Sequence, residues 1–200
     1  MKRAALAAAA VILGAALWWR RNPSACPYNQ RFWVQAPHPG ITRERLNSVL
    51  EPRAGERILE IGPGTGYYSL HLADWIGPDG TLEILDLQQE MLDHTASRAA
   101  EQGLANVIAT QGDARELPYA DSSVDAVVLT AVLGEIPDQE RALSEIARVL
   151  RPEGRLVVGE LFGDPHYVSP AALERRAASG GLRPVRRSGP RLAYFARLEA

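Results

Sequence analysis

Along most of the chain, short apolar runs alternate with stretches whose apolar residues recur every three to four positions. Residues 57–61 form an apolar run that predicts a strand. Beyond the glycines that follow it, Tyr68, Leu72 and Ile76 repeat at helical spacing. Gly77-Pro78-Asp79-Gly80 breaks that helix. Residues 81–86 then predict a second strand, 88–102 a second helix stopped by Gly103, and 106–110 a third strand. The turn Asp121-Ser122-Ser123 precedes 124–130, whose apolar run suits a strand buried on both faces. Residues 138–150 place Ala142, Leu143, Ile146 and Leu150 on one helical face, stopped before Pro152-Glu153-Gly154, and 155–160 predict a fifth strand. Ser169-Pro170 supplies an N-cap with proline at the first helical position, and Gly180-Gly181 ends that helix near Ser179. The runs 182–187 and 191–198, joined by Ser188-Gly189-Pro190, predict a closing hairpin. Strands separated by helices require parallel pairing, because only a long crossover returns the chain to the same edge. The expected fold is therefore α/β, with a doubly wound, mostly parallel sheet.

The N-terminal fifth breaks this rhythm. Residues 42–50 predict a short helix, and 22–40 hold four prolines interleaved with Tyr28, Phe32 and Trp33, the mark of an irregular connector with aromatic anchors. Before it, Lys2 and Arg3 lead into an uncharged run from 4 to 19 that closes on Trp18-Trp19-Arg20-Arg21. As a helix this run is about 24 Å long at 1.5 Å per residue, somewhat short of a hydrocarbon core of roughly 30 Å. Indoles and arginines at its end suit the headgroup layer. A cleavable signal is the rival reading, but bulky residues stand where small ones belong. Ser24-Ala25-Cys26 only faintly matches a lipoprotein site, since Pro23 replaces an aliphatic residue. The expected organisation is a hydrophobic helix and membrane-anchor candidate over 1–21, a connector and substrate-side cap over 22–50, and one catalytic domain over 51–200.

Composition narrows the classes. A net charge of −2 gives no general reason to expect nucleic acid as a partner, and the single cysteine, Cys26, excludes an internal disulfide and a cysteine-based zinc cluster. No metal is expected. One local excess stands out: Arg183, Arg186, Arg187, Arg191 and Arg197 cluster at the C-terminus. They read either as a solvated hairpin face or as an attraction to anionic lipid.

The strand at 57–61 runs into Gly62-Pro63-Gly64-Thr65-Gly66 and then a helix. Side chains at those glycines would block a close-lying cofactor, and the helix start offers free N–H groups. A dinucleotide fingerprint wants G-x-G-x-x-G, yet the third glycine falls one place early and Tyr67 holds its position. That disfavours an NAD-dependent oxidoreductase. Asp86 ends the next strand about twenty residues on, where a carboxylate can accept from both ribose hydroxyls.

The G-x-G-x-G form, with Glu60 two residues ahead, resembles the first motif of class I S-adenosylmethionine (SAM)-dependent methyltransferases, in particular the UbiE-like small-molecule enzymes. The resemblance extends through Gly112-Asp113-Ala114, Leu117-Pro118-Tyr119, Asp121-Ser122-Ser123-Val124-Asp125 and 145–154, covering roughly 53–160. It implies a Rossmann-like sheet of seven strands with the last antiparallel, and SAM as cofactor. It also implies a cofactor-binding set of Glu60, Gly62, Gly64, Gly66, Asp86, Leu87, Met91, Asp113, Ala114 and Thr130, with Leu87 and Met91 near the adenine and Asp113 accepting from its amine. The chain departs from quinone-type members after the fourth strand, where Gly134-Glu135 replaces a histidine pair, and this loosens assignment of the acceptor by analogy. It also lacks the Asn-Pro-Pro-Tyr-like motif of enzymes that methylate adenine or glutamine amino groups.

A sulfonium is already activated, so alignment and exclusion of water supply most of the acceleration, with a base only where the acceptor loses a proton. His166, Glu135 and His38 are the candidate acceptor-side residues. The expected function is methylation of a small, lipophilic acceptor at the cytoplasmic face of the cell membrane, with a cytoplasmic protein as the alternative location. A SAM-binding regulator or scaffold without catalysis is the alternative function.

Overall fold

The computed structural model describes Gly14, residues 22–35 and residues 38–199. Among these, seven strands make one sheet: β1 (Arg57–Ile61), β2 (Thr81–Asp86), β3 (Val107–Gln111), β4 (Val124–Thr130), β5 (Leu150–Leu161), β6 (Arg183–Ser188) and β7 (Ala193–Glu199). Their spatial order is β3-β2-β1-β4-β5-β7-β6, and β7 alone runs against its neighbours. Apart from Gly14, the apolar run 4–19 and the helix expected there lie outside the described residues. Among the described residues, no helix is long and apolar enough to cross a membrane.

Among the described residues five helices cover the sheet, α1 (Arg43–Leu50), α2 (Ser69–Ile76), α3 (Gln89–Glu101), α4 (Gln139–Val149) and α5 (Pro170–Ser179), and the connector expected to be irregular holds two short helical turns, Tyr28–Gln30 and Phe32–Gln35. Their ends follow from local chemistry. The side chains of Thr42, Asp138 and Ser169 accept backbone N–H groups at the starts of α1, α4 and α5. On β4, Val127 and Leu129 turn to one core, shared with Leu143 and Ile146 of α4 and Leu173 of α5. Ala126 and Val128 turn to the other, shared with Leu46 of α1, Leu72 of α2 and Leu92 of α3. A strand covered on both faces carries an unbroken apolar run for this reason.

The boundaries match the pattern to within a residue or two, except at β5. That strand begins at Leu150, where an apolar residue satisfies both the end of α4 and the first rung of the sheet. Leu150 pairs with Val124 and Arg155 with Ala126, so residues 151–154 bulge out, with Glu153 at a φ of 65°. Beyond the bulge, Arg155 is buried and its guanidinium donates to both carboxylate oxygens of Glu56, at 2.9 and 2.7 Å, and to the carbonyls of Leu50 and Glu51. It ties the start of β5 to the end of α1, far from the carboxyl ends of the strands. Removing one partner of such a pair strands the other charge, so Arg155→Ala should cost about 3–5 kcal/mol in urea unfolding, with SAM affinity of the folded fraction unchanged.

Candidate functional site

β1 lies between β2 and β4, and Ile61 pairs with both Leu85 and Leu129. The residues that follow these three, Gly62, Asp86 and Thr130, therefore emerge side by side. The strand order also reverses here, since β2 and β3 lie on one side of β1 and β4 on the other. A crevice outside the carboxyl ends is the consequence. It opens into a cavity of about 670 Å³ lined by Gly62, Gly64, Asp86, Met91, Asp113 and Thr130, among others.

The glycines are required by the fold as well as by any ligand. Gly62, Gly64 and Gly66 have φ of 69°, 56° and 80°, values that side-chain-bearing residues rarely adopt. A Cβ on Gly62 would come within 2.5 Å of Val132, and one on Gly66 within 3.0 Å of Thr95. Thr95 Oγ1 donates to the Gly64 carbonyl at 3.1 Å, and Arg98 donates to that of Thr65, so α3 braces the loop from behind. Gly66 thus packs against α3 and does not line the cavity, whereas Leu87, Ala114, Glu135, His38 and His166 all do.

Glu60 is buried beneath the loop, and one of its carboxyl oxygens has no hydrogen-bond partner. Burial pushes this carboxyl up to about 7, partly offset by the neighbouring Ser69 hydroxyl. Thr130 Oγ1 is also buried and unpartnered. Asp86 accepts the Gln88 N–H at 2.9 Å, and burial raises its pKa above the ordinary carboxylate range. Asp113 is held differently: both its oxygens accept from Arg115, at 2.6 to 3.1 Å, which keeps its pKa below the ordinary value. Arg115 therefore already occupies much of the carboxylate expected to take an adenine amine.

On the other side of β4, Glu135 ends a short 3-10 turn (Leu133–Glu135). Burial, with Asp164 nearby, lifts its carboxyl to about 8. Asp164, also raised by burial, accepts the His166 N–H at 2.6 Å. A Cβ on Gly134 would come within 1.7 Å of the His166 carbonyl. Glycine at 134 is thus what lets the 163–166 loop close beside Glu135. His38 stacks on Tyr68 and meets Tyr67 edge-on, and burial lowers its pKa, so it is neutral at pH 7. In the sequence Gln88 marks only a helix start. Its side-chain amide donates to the Cys26 carbonyl at 3.0 Å and accepts the Tyr28 N–H at 2.9 Å. Glu135 accepts the Cys26 N–H at 3.3 Å, so the connector is strapped over the cavity. Neither Asp164 nor Gln88 sits in a sequence motif, and the turn-forming residues Gly163 and Pro165 around the first are the signal that marks it.

A glycine-lined crevice at the strand-order switch, an acidic residue ending β2 and unpartnered buried oxygens at its floor together fit an adenosyl sulfonium with an amino-acid tail. Residues 58–154 match the family model described as a methyltransferase domain. The chain is 38% identical over 119 residues to the demethylmenaquinone methyltransferase of Lactobacillus johnsonii, covering 59% of this chain and 49% of that protein. It is 36% identical over 115 residues to the ubiquinone/menaquinone biosynthesis C-methyltransferase UbiE of Cellvibrio japonicus, covering 57% and 46%. It spans about half the length of these curated relatives. A SAM-dependent methyltransferase from Aquifex aeolicus shares the fold, with a TM-score of 0.79 at 19% identity over 87% of this chain and 98% of that one. These likenesses support a class I SAM-dependent methyltransferase domain over residues 58–154 and imply SAM as its cofactor.

Two outcomes follow. Asp86→Ala should weaken SAM binding by about 1.5–3 kcal/mol in calorimetry, as for a lost hydrogen bond to a charged group, while the fold persists. The second concerns pH. Glu60, Glu135 and Glu160 all have folded pKa values raised by burial, to about 7, 8 and 8. The folded chain binds more protons than the unfolded one between about pH 4.5 and 8, so stability from these groups is complete below that window and is lost as pH rises through it. The melting temperature without ligand should fall from pH 5 to 8, and Glu160→Gln should flatten the fall.

Proposed function

We propose that the chain transfers a methyl group from SAM to a small, lipophilic acceptor bearing an acidic hydroxyl, of the quinone-precursor kind, presented at the cytoplasmic membrane face. The observation that carries this is the second half of the cavity, where Glu135, His38 and His166 stand among Val132, Ile136 and Leu161. An apolar pocket with a few converging polar groups suits an aromatic acceptor. The names of the quinone-biosynthesis relatives support the same class, and the apolar run 4–19 supports the membrane.

SAM, when bound, supplies an activated methyl group. Asp86 would hold its ribose, Leu87 and Met91 would flank the adenine with Ala114 and the Asp113–Arg115 pair at its edge, and Glu60 and Thr130 would face the polar tail and the sulfonium end. Glu135 would take the acceptor's hydroxyl proton as carbon or oxygen is methylated. The strap from Pro23 to Pro27 would exclude water from the aligned pair. Glu135 must be ionised to act, so turnover should rise with pH towards its pKa near 8.

The full chain, incubated with labelled SAM, membrane lipid extracts and prenylated or unprenylated dihydroxyaromatics, should give a methylated aromatic in mass spectrometry. Glu135→Gln should lower turnover by about 10²-fold and remove the alkaline rise, with SAM affinity retained. SAM bound tightly with no methyl transferred to any of these would favour the regulator. Methylation confined to water-soluble amines would overturn the lipophilic acceptor.

A further inference from the structure

Where β5 leaves the sheet it passes straight into the cavity wall: Leu161 lines the cavity, Phe162 points outward, and Gly163 and Asp164 line it again. Phe162 is 57% exposed and Leu192 is 54% exposed, two of six large apolar side chains left exposed among the described residues, and these two lie together. They form one patch. The Phe162 N–H donates to the Leu192 carbonyl at 2.8 Å, the Phe162 and Tyr167 rings meet edge-on at 5.6 Å, and the Tyr167 hydroxyl donates to the Arg191 carbonyl.

Arginines ring this patch. Residues 170–199 hold seven arginines against two glutamates in a chain of net charge −2. Arg186 and Arg197 are accounted for by Glu51, and Arg197 also by Glu199. Arg187 and Arg191, at the hairpin end nearest Phe162, are exposed and make no ion pair among the described residues. Charges on an edge strand discourage sheet-to-sheet pairing, which gives a reason for Arg183, Arg186 and Arg187 on β6. Arg191 lies off the strand, and neither reason reaches it.

We propose that Phe162 and Leu192, flanked by Arg187 and Arg191, form a docking rim that seats the mouth of the cavity on an anionic bilayer. Aromatic and aliphatic tips enter the interface while guanidinium groups meet lipid phosphates, each cation adding attraction that falls with salt. The connector, whose residues 23–27 line the same cavity, follows directly in sequence on the apolar run 4–19 and its Arg20-Arg21 end. The rim rests on the lipophilic-acceptor reading for its purpose, since it would let such a molecule pass from bilayer to pocket without crossing water. An acidic protein is the competing occupant, but it offers no reason for bare apolar tips beside a cavity mouth.

The test uses the full chain with Cys26→Ser and a single new cysteine carrying an environment-sensitive fluorophore, at Phe162→Cys, at Leu192→Cys, or at Asp79→Cys in the exposed turn at the opposite end of β2. With vesicles of phosphatidylglycerol and phosphatidylcholine, labels at 162 and 192 should shift to the blue and be quenched by brominated acyl chains, and the label at 79 should do neither. Adding Arg187→Gln and Arg191→Gln should lower the ratio of inserted to exposed label by roughly fivefold for each arginine. Pure phosphatidylcholine should give little insertion. Protein that sediments with vesicles while the labels at 162 and 192 stay in water would overturn the rim yet leave the membrane reading standing. Insertion equal on neutral and anionic vesicles would overturn the lipid-charge assignment. A shift that grows with protein concentration without vesicles would reassign the patch to contact between copies.

Discussion

Because β1 is held between β2 and β4 in a register that ends all three at one level, the backbone after each strand must turn away at the same place. Three chain reversals cannot pack there with side chains on all of them. Gly62 yields by leaving β1 against Val132 with no Cβ, and Gly66 by lying against Thr95. The crevice is what remains once these turns are made. The chemistry that the site can support is thus set by strand order and register before any side chain is considered, and the glycines serve the packing of α3 as much as the approach of a ligand.

The same crevice gathers negative charge. Asp86, Glu135 and Asp164 face it and Glu60 lies under it, while among the described residues the one arginine on its wall, Arg115, is committed to Asp113. Burying carboxyls without counter-ions costs stability, and proteins relieve the cost by holding them protonated. That cost is visible here as pKa values displaced upward together. A ligand carrying a sulfonium and an ammonium reverses the balance, since each positive charge favours the ionised carboxylates. On the proposed reading, the carboxyls on the SAM side, Asp86 and Glu60, therefore give affinity for the cofactor and instability of the empty site one origin.

Much of this was legible in the sequence because it depends on local patterns. The doubly wound sheet follows from apolar runs alternating with helical repeats, and the cofactor half follows from glycine spacing and the position of Asp86. The start of β5 was not legible, since Leu150 satisfies a helix end and a strand start equally well. Nor were Gln88 and Asp164, whose roles arise from contacts with Cys26, Tyr28 and His166 on other segments. Asp113 shows the opposite case: its position was readable, but its capture by Arg115 two residues later was not. Acceptor-side residues come from loops of unrelated sequence position, and no spacing rule connects them.

The connector joins these two kinds of information. Its prolines keep residues 23–27 out of regular structure, so the backbone groups of Cys26, and the N–H of Tyr28 that opens the next turn, need partners elsewhere. Gln88 supplies two, from the position just before α3, and Glu135 supplies a third, from the turn after β4. The strap is therefore fastened at once to both sides of the cavity, beside β2 and beside β4. Ionisation of Glu135 strengthens its bond to the Cys26 N–H, since a charged acceptor binds a donor more tightly. On the proposed reading, in which Glu135 takes the acceptor's proton, the state of that proton is in this way coupled to how firmly the cavity is covered, and closure and chemistry share one carboxyl.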